Sequence, residues 1–194
     1  MSRSLSVLLG LAILATACGK KEEPVVTPTP TAPQGPVVNQ DSIDAANRAR
    51  AEQARRDSLA RAAAAAEAER AALVNEMATM IHFDYDQSAI RSSDMALLAR
   101  KADIMRANPN VRIRVVGHAD ERGSDEYNLA LGMRRATSAK EYLVRQGIAA
   151  GRIETASLGE EVPLDPAATE SAWAMNRRGE FEMIAGAQTL VRPQ

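Results

Sequence analysis

Aromatic side chains are scarce: three Tyr, two Phe and one Trp in 194 residues. There is one cysteine, so no intramolecular disulfide can staple the chain. A charge excess of either sign is missing as well. The 24 Lys+Arg residues face 25 Asp+Glu, which excludes a nucleic-acid binder working through a broad basic field. No apolar run approaches the ~20 residues a helix needs to cross a bilayer, which excludes a multi-span integral protein. With only two histidines, His82 and His118, separated in sequence, neither a metal nor another cofactor is expected. What is abundant is alanine. It inflates the apolar fraction to 45%, and alanine concentrated in one stretch builds no core.

Four zones follow from the order of these residues. Residues 1–17 read as a secretory signal: Arg3, then the apolar stretch Leu5 to Leu14, then the small residues Ala15-Thr16-Ala17. Small residues directly before Cys18 resemble the lipobox of bacterial lipoproteins, in which the signal is cut before the cysteine and the cysteine carries the lipid. This sequence departs from that pattern in having Ala15 where leucine is usual, with Leu14 one position earlier. The competing reading of Cys18, a free thiol just past a signal, would be a liability in an oxidising compartment. Residues 18–40 hold Pro24, Pro28, Pro30, Pro33 and Pro36, five of the nine prolines, and read as an extended linker. Residues 41–78 are rich in alanine and predict a solvated spacer helix of roughly 50 Å, at 1.5 Å per residue. Its expected start is a capping box at Asp41-Ser-Ile-Asp44, and its expected surface pairs are Asp44/Arg48, Glu52/Arg56 and Asp57/Arg61.

Residues 79–194 carry the pattern of a folded domain. Met80–Phe83 predicts a short strand before the acidic turn Asp84-Tyr85-Asp86. A helix capped by Ser92 or Ser93 runs to Ala107 with Met95, Leu98, Ala102 and Met105 inward, and Asn108-Pro109-Asn110 stops it. Val111–Val116 alternates as a strand with its arginines outward. A second helix over about Glu126–Gln146 places Leu129, Met133, Ala136, Ala139, Lys140 and Leu143 on its buried side and closes at Gly147. Strands near 152–157 and 180–184 flank a short helix around 171–178. The order β-α-β-α-β-(α)-β predicts an α/β (α+β) two-layer sandwich.

The chemistry concentrates in Gly117-His118-Ala119-Asp120-Glu121-Arg122-Gly123 and in the residues that follow it. On the residues alone, Asp120 either caps the second helix or binds a ligand, and His118 reads as a hydrogen-bonded turn histidine. Several segments in order resemble the OmpA-like peptidoglycan-binding domain family. They are Phe83-Asp84-Tyr85-Asp86 with Ile90-Arg91, the Gly117–Gly123 turn, Tyr127-Asn128-Leu129 with Arg135-Ala136, Gly159-Glu160 with Pro163, and Asn176-Arg177-Arg178. They span about Ile81 to Ile184. The resemblance implies non-covalent binding of the peptide stem of peptidoglycan, centred on diaminopimelate, with Asp120 and Arg135 holding that group. A carboxylate suits its ammonium, and a planar guanidinium suits its carboxylate through two parallel bonds. Phe83, Asp84, Asn128, Asn176 and Arg177 are similar to family residues lining the same groove. Alanine at Asp120 or Arg135 is expected to abolish binding and leave the domain folded. Gly179 stands where the family usually has a β-branched residue. Arg134 is expected in solvent, Trp173 in packing, and Met77, Met80, Met95, Met105, Met133, Met175 and Met183 as core fillers.

Together with the lipobox, the resemblance implies a lipoprotein of the outer membrane facing the periplasm, anchored in the bilayer through Cys18 and tethered to the cell wall. The family's lipoproteins also engage periplasmic Tol proteins during cell constriction. A cell-wall enzyme is the competing class, but no Ser or Cys nucleophile lies beside a base, and Asp120-Glu121, adjacent in a turn, do not oppose each other across a substrate. A stator-type or porin-type relative would need a spanning helix or a barrel ahead of the domain.

Overall fold

The computed structural model describes residues 39–193. The signal, Cys18 and the proline-rich linker lie outside these residues. The chain divides into two units between Asn47 and Arg48, the first represented here only by the start of helix α1 (Gln40–Ala78). That start is capped by Asn39, whose side-chain oxygen accepts the Asp41 N–H at 3.1 Å. The expected box at Asp41–Asp44 is therefore replaced by a cap two residues earlier. Of the expected pairs only Glu52–Arg56 closes; Asp44 accepts from Gln40 and Asp57 from Gln53. Amides at the same helical spacing compete for those carboxylates.

The last turns of α1 depart from a solvated spacer. Leu73 and Met77 are fully buried in the domain core, with Val74 packed against it. Each buried side chain of this size contributes ~2 kcal/mol. Helix α2 (Ser92–Ala107) holds this end of α1 in place. The α1 terminus has no basic residue of its own, and Lys101 of α2 supplies one: its buried Nζ donates to the Glu76 carbonyl at 3.0 Å and to the Met77 carbonyl at 2.5 Å. The ammonium also lies 4.3 Å from the centre of the Phe181 ring. Burial pulls its pKa down to about 7, against the attraction of Glu76. Arg100 pairs with Glu76 at 2.7 Å beside it.

The domain is a four-stranded sheet in the order β1-β4-β2-β3, built from β1 (Ile81–His82), β2 (Arg112–His118), β3 (Ile153–Gly159) and β4 (Arg178–Ala185). Strands β2 and β3 are parallel, and β4 runs antiparallel to both β1 and β2. Helices α2 and α3 (Asp125–Arg145) and the short α4 (Glu170–Asn176) complete the expected β-α-β-α-β-(α)-β order. Ile113 and Val115 point into the core from β2, while Arg112 and Arg114 pair with Glu154 on the opposite face. At Gly179 a Cβ would come within 3.1 Å of Ile81, so glycine lets β1 and β4 lie close.

Both main helices differ from the sequence reading in detail. Helix α2 has no side-chain cap; Arg91 precedes it, and Ser92 is already helical. Met95 is exposed, whereas Ile104 and Lys101 are buried. Helix α3 is capped by Ser124, which accepts the Tyr127 N–H at 3.3 Å, so capping is not the work of Asp120. Leu129 and Met133 are exposed, and Asn128, Leu131, Gly132 and Arg135 take the buried face. The first half of α3 is thus turned by one residue from the hydrophobic stripe, about 100°. Two contacts impose the turn. Gly132 lies against Gly117 of β2, where a Cβ on Gly117 would fall 1.8 Å from the Gly132 oxygen. One turn on, Arg135 faces the loops. Gly147, at φ +90°, ends the helix as expected.

Candidate functional site

The close approach of β2 to α3 brings three loops together beyond the end of β2. They are the turn 84–87 after β1, the turn 119–123 after β2, and Arg177 between α4 and β4. Between them is a cavity of about 260 Å³ lined by Tyr85, Asp86, Asp120, Arg122, Tyr127, Asn128 and Arg135, among others.

Asp120 is buried and carries two guanidinium partners. Arg122 binds both its oxygens, Nη2 to Oδ2 at 2.7 Å and Nε to Oδ1 at 3.0 Å, and its own N–H adds a bond at 3.2 Å. Arg177 Nη1 reaches Oδ2 at 3.1 Å. Burial pushes the Asp120 pKa up, but these hydrogen bonds outweigh it and hold the carboxyl below the usual range. It is ionised at neutral pH.

Arg135 is fully buried, and three loop carbonyls surround it. Nε donates to Gln87 at 2.8 Å, Nη1 to His118 at 2.6 Å and Nη2 to Asp84 at 3.1 Å. Its guanidinium lies 5.1 Å from the centre of the Phe83 ring. Burial pulls its pKa down to about 10, opposed by Asp120, which still leaves it charged at neutral pH. Arg135 is therefore a brace of the loops as well as a wall of the cavity. The loop it braces contains Asp86 in the left-handed region, φ 54°, a conformation that is uncommon outside glycine. Asp86 accepts the Tyr127 hydroxyl and so joins that turn to α3.

The other expected residues separate into two groups. Asn128 lines the cavity and donates to the Asp120 carbonyl at 3.0 Å and to Glu160. Arg177 adjoins it through Asp120 and also binds the Phe83 carbonyl at 3.1 Å and Glu170 at 2.9 Å. Phe83 lies beneath the guanidinium, out of the cavity, and Asp84 contributes its carbonyl while its carboxylate faces solvent near Arg91. Asn176 is spent on the loop before α4: its oxygen accepts from Leu164 and Asp165, and its amide donates to Asp165. Sequence reasoning missed Arg122, Tyr85 and Tyr127. Arg122 is stacked 4.0 Å from Tyr85 and 4.2 Å from Trp173. Trp173 donates to Glu121 at 3.0 Å and stacks on Arg122, so it packs behind the cavity wall, as expected. The signal for Arg122 was its place two residues after Asp120, where a carboxylate reaches the next-but-one residue of its own turn.

His118 is the clearest correction. It is buried at the end of β2, and neither ring nitrogen has a hydrogen-bond partner. Burial first and Arg178 second bring its pKa down to about 4, against Glu180, 3.5 Å away, which opposes both. The folded state refuses a proton that the unfolded chain accepts below about 6.5. Stability is thus full above pH 6.5 and falls as the pH drops toward about 4, by up to ~3 kcal/mol from this group. Thermal midpoints measured between pH 4 and 7 for the wild type and His118→Asn should converge at low pH; parallel curves would contradict the assignment. Among the described residues no three His, Cys, Asp or Glu side chains gather as metal ligands.

The cavity thus sets mixed charge in one corner, with the guanidiniums of Arg122, Arg135 and Arg177 around one buried carboxylate, Asp120. The OmpA family model matches residues 82–177, which include every cavity residue named above. A solved structure, the peptidoglycan-associated lipoprotein from Burkholderia pseudomallei, is 36% identical and superposes with a TM-score of 0.53, over 54% of this chain and 88% of that one. The chain belongs to the OmpA family. Within it the similarity falls on peptidoglycan-associated lipoproteins: that of Rhizobium meliloti is 46% identical over 98 residues, and that of Pseudomonas putida 43% identical over 103. These matches take in 50% and 53% of this chain and 56% and 61% of the relatives, so the likeness spans little more than half of each curated protein. The C-terminal domain of Helicobacter pylori MotB shares the fold at 23% identity, with a TM-score of 0.51, over 54% of this chain and 83% of that one.

Proposed function

We propose that this chain is an envelope lipoprotein whose domain, residues 79–194, binds the peptide stem of peptidoglycan without cleaving it. The observation that carries this reading is the cavity in which ionised Asp120 and charged Arg135 stand together. A diaminopimelate head presents an ammonium and a carboxylate on one carbon, and it would meet both signs there. Asp120 receives the ammonium. Arg135 has five N–H donors, three committed to carbonyls, and one on each terminal nitrogen remains for the carboxylate. Asn128 and Tyr127 shape the sides.

In this reading residues 1–17 are a signal and Cys18 carries lipid in the outer membrane. Residues 18–40 are a leash, and residues 41–78 a spacer whose last turns belong to the domain. The protein then ties the outer membrane to the wall, with periplasmic Tol proteins as partners in division and envelope integrity. Support comes from the lipobox resemblance and from the names of the relatives. Incubation of the purified chain with isolated sacculi tests the core of it. The chain is expected in the pellet, with no soluble fragments released. A chain that stays in the supernatant, or one that releases fragments, contradicts the reading.

A further inference from the structure

The binding carboxylate is already occupied. Arg122 covers both oxygens of Asp120 with two side-chain bonds, at 2.7 and 3.0 Å, and lines the cavity beside it. Its guanidinium is clasped between Tyr85 and Trp173, 4.0 and 4.2 Å from the ring centres. The three guanidiniums around the cavity differ in freedom. The Arg122 side chain keeps 28% of its surface exposed and Arg177 8%, while Arg135, at the cavity wall, is fixed by three carbonyls. A second carboxylate already holds Arg122: Glu170, largely exposed, accepts from its Nη1 at 3.3 Å through Oε2 while its Oε1 accepts from Arg177 at 2.9 Å. Asp120 would keep Arg177 if Arg122 left.

Building on the peptidoglycan reading, we propose that Arg122 is an internal substitute for the ligand's ammonium, a plug that only an amino-acid head displaces. The exchange is close to balanced in charge: Arg122 gives up Asp120 but keeps Glu170, and the ligand's cation takes its place on Asp120. A lone amine gains little by that exchange and loses its own freedom of motion. A head that also carries a carboxylate gains the Arg135 contact as well, and that second contact makes displacement favourable. Selectivity then follows from competition inside the cavity, since the unliganded site rejects single-charge ligands through a side chain of its own.

The chain's only tryptophan reports the movement, because Trp173 stacks directly on the plug. The full chain and Arg122→Ala are titrated with a tripeptide stem ending in meso-diaminopimelate, following heat and tryptophan emission together. The variant is expected to bind about tenfold more tightly, since no plug is left to displace. The wild type alone should show the emission change of Arg122 leaving the indole. Arg122→Gln, which keeps much of the side-chain bulk but not the charge, should bind like the alanine variant. Equal or weaker binding by both variants, with the wild type binding, overturns the plug and makes Arg122 a direct ligand contact. No binding by any of the three proteins overturns the peptidoglycan reading and this proposal with it.

Discussion

Arg135→Ala is expected to cost the domain about 3–5 kcal/mol, enough to threaten folding on its own. The cause is the set of carbonyls the guanidinium serves. Gln87, His118 and Asp84 would each lose a buried donor, and a side chain with no exposed surface would leave a void over Phe83. Arg135→Lys should recover only part of the loss, because a point charge cannot fork toward three acceptors. Denaturant midpoints for the two variants check this. Arg135→Ala within about 1 kcal/mol of wild type would contradict the brace. The result alters how binding experiments are read. Alanine here was expected to remove a ligand contact and spare the fold; with the brace in place, its binding loss mixes both effects. Asp120→Ala carries the same mixture, since it takes from nearly buried Arg177 the more buried of its two carboxylate partners and leaves it only exposed Glu170.

The second large effect is expected at Gly117. An alanine Cβ would lie 1.8 Å from the Gly132 oxygen and 2.6 Å from its carbonyl carbon. Both are backbone atoms, so no side chain can turn aside, and β2 must part from α3. About 3 kcal/mol or more is expected. Gly132→Ala should be similar, with Ser157 Oγ 2.2 Å and the Gly117 oxygen 2.6 Å from the new carbon. Gly151→Ala, whose Cβ would meet nothing within 4 Å, supplies the control. Thermal melts that place Gly117→Ala beside Gly151→Ala would contradict the close approach. The separation would also reach the cavity, because the His118 carbonyl next in the chain holds Arg135.

These two contacts mark where the sequence was legible and where it was not. Element order, the turn glycine Gly147 and the alternation of β2 follow from propensity and period, and the sheet agrees with them. The first half of α3 does not follow. Its apolar stripe would bury Leu129 and Met133, yet the helix buries Asn128, Gly132 and Arg135. Hydrophobic period assumes that the inward face is oily, and a face built around a buried cation and a glycine contact breaks that assumption. Lys101 was hidden for the same reason: its partners are carbonyls on α1, and no pattern within α2 reveals an acceptor 24 residues away. The cavity itself was half legible. Asp120 and Arg135 stood out through the motif, and the structure brings both to its wall. Arg177 was also among the groove residues the motif implied, but that it and Arg122 both bind Asp120 could be found only by seeing which loops meet.

Under the proposed function, the cavity reads both charges of a single amino-acid head. Competition against sacculus binding tests it most directly. The wild-type chain is bound to isolated sacculi and challenged with meso-diaminopimelate, with cadaverine, which has only ammonium groups, and with pimelate, which has only carboxylates. Release by meso-diaminopimelate alone is the expected result. Equal release by cadaverine or by pimelate would contradict it.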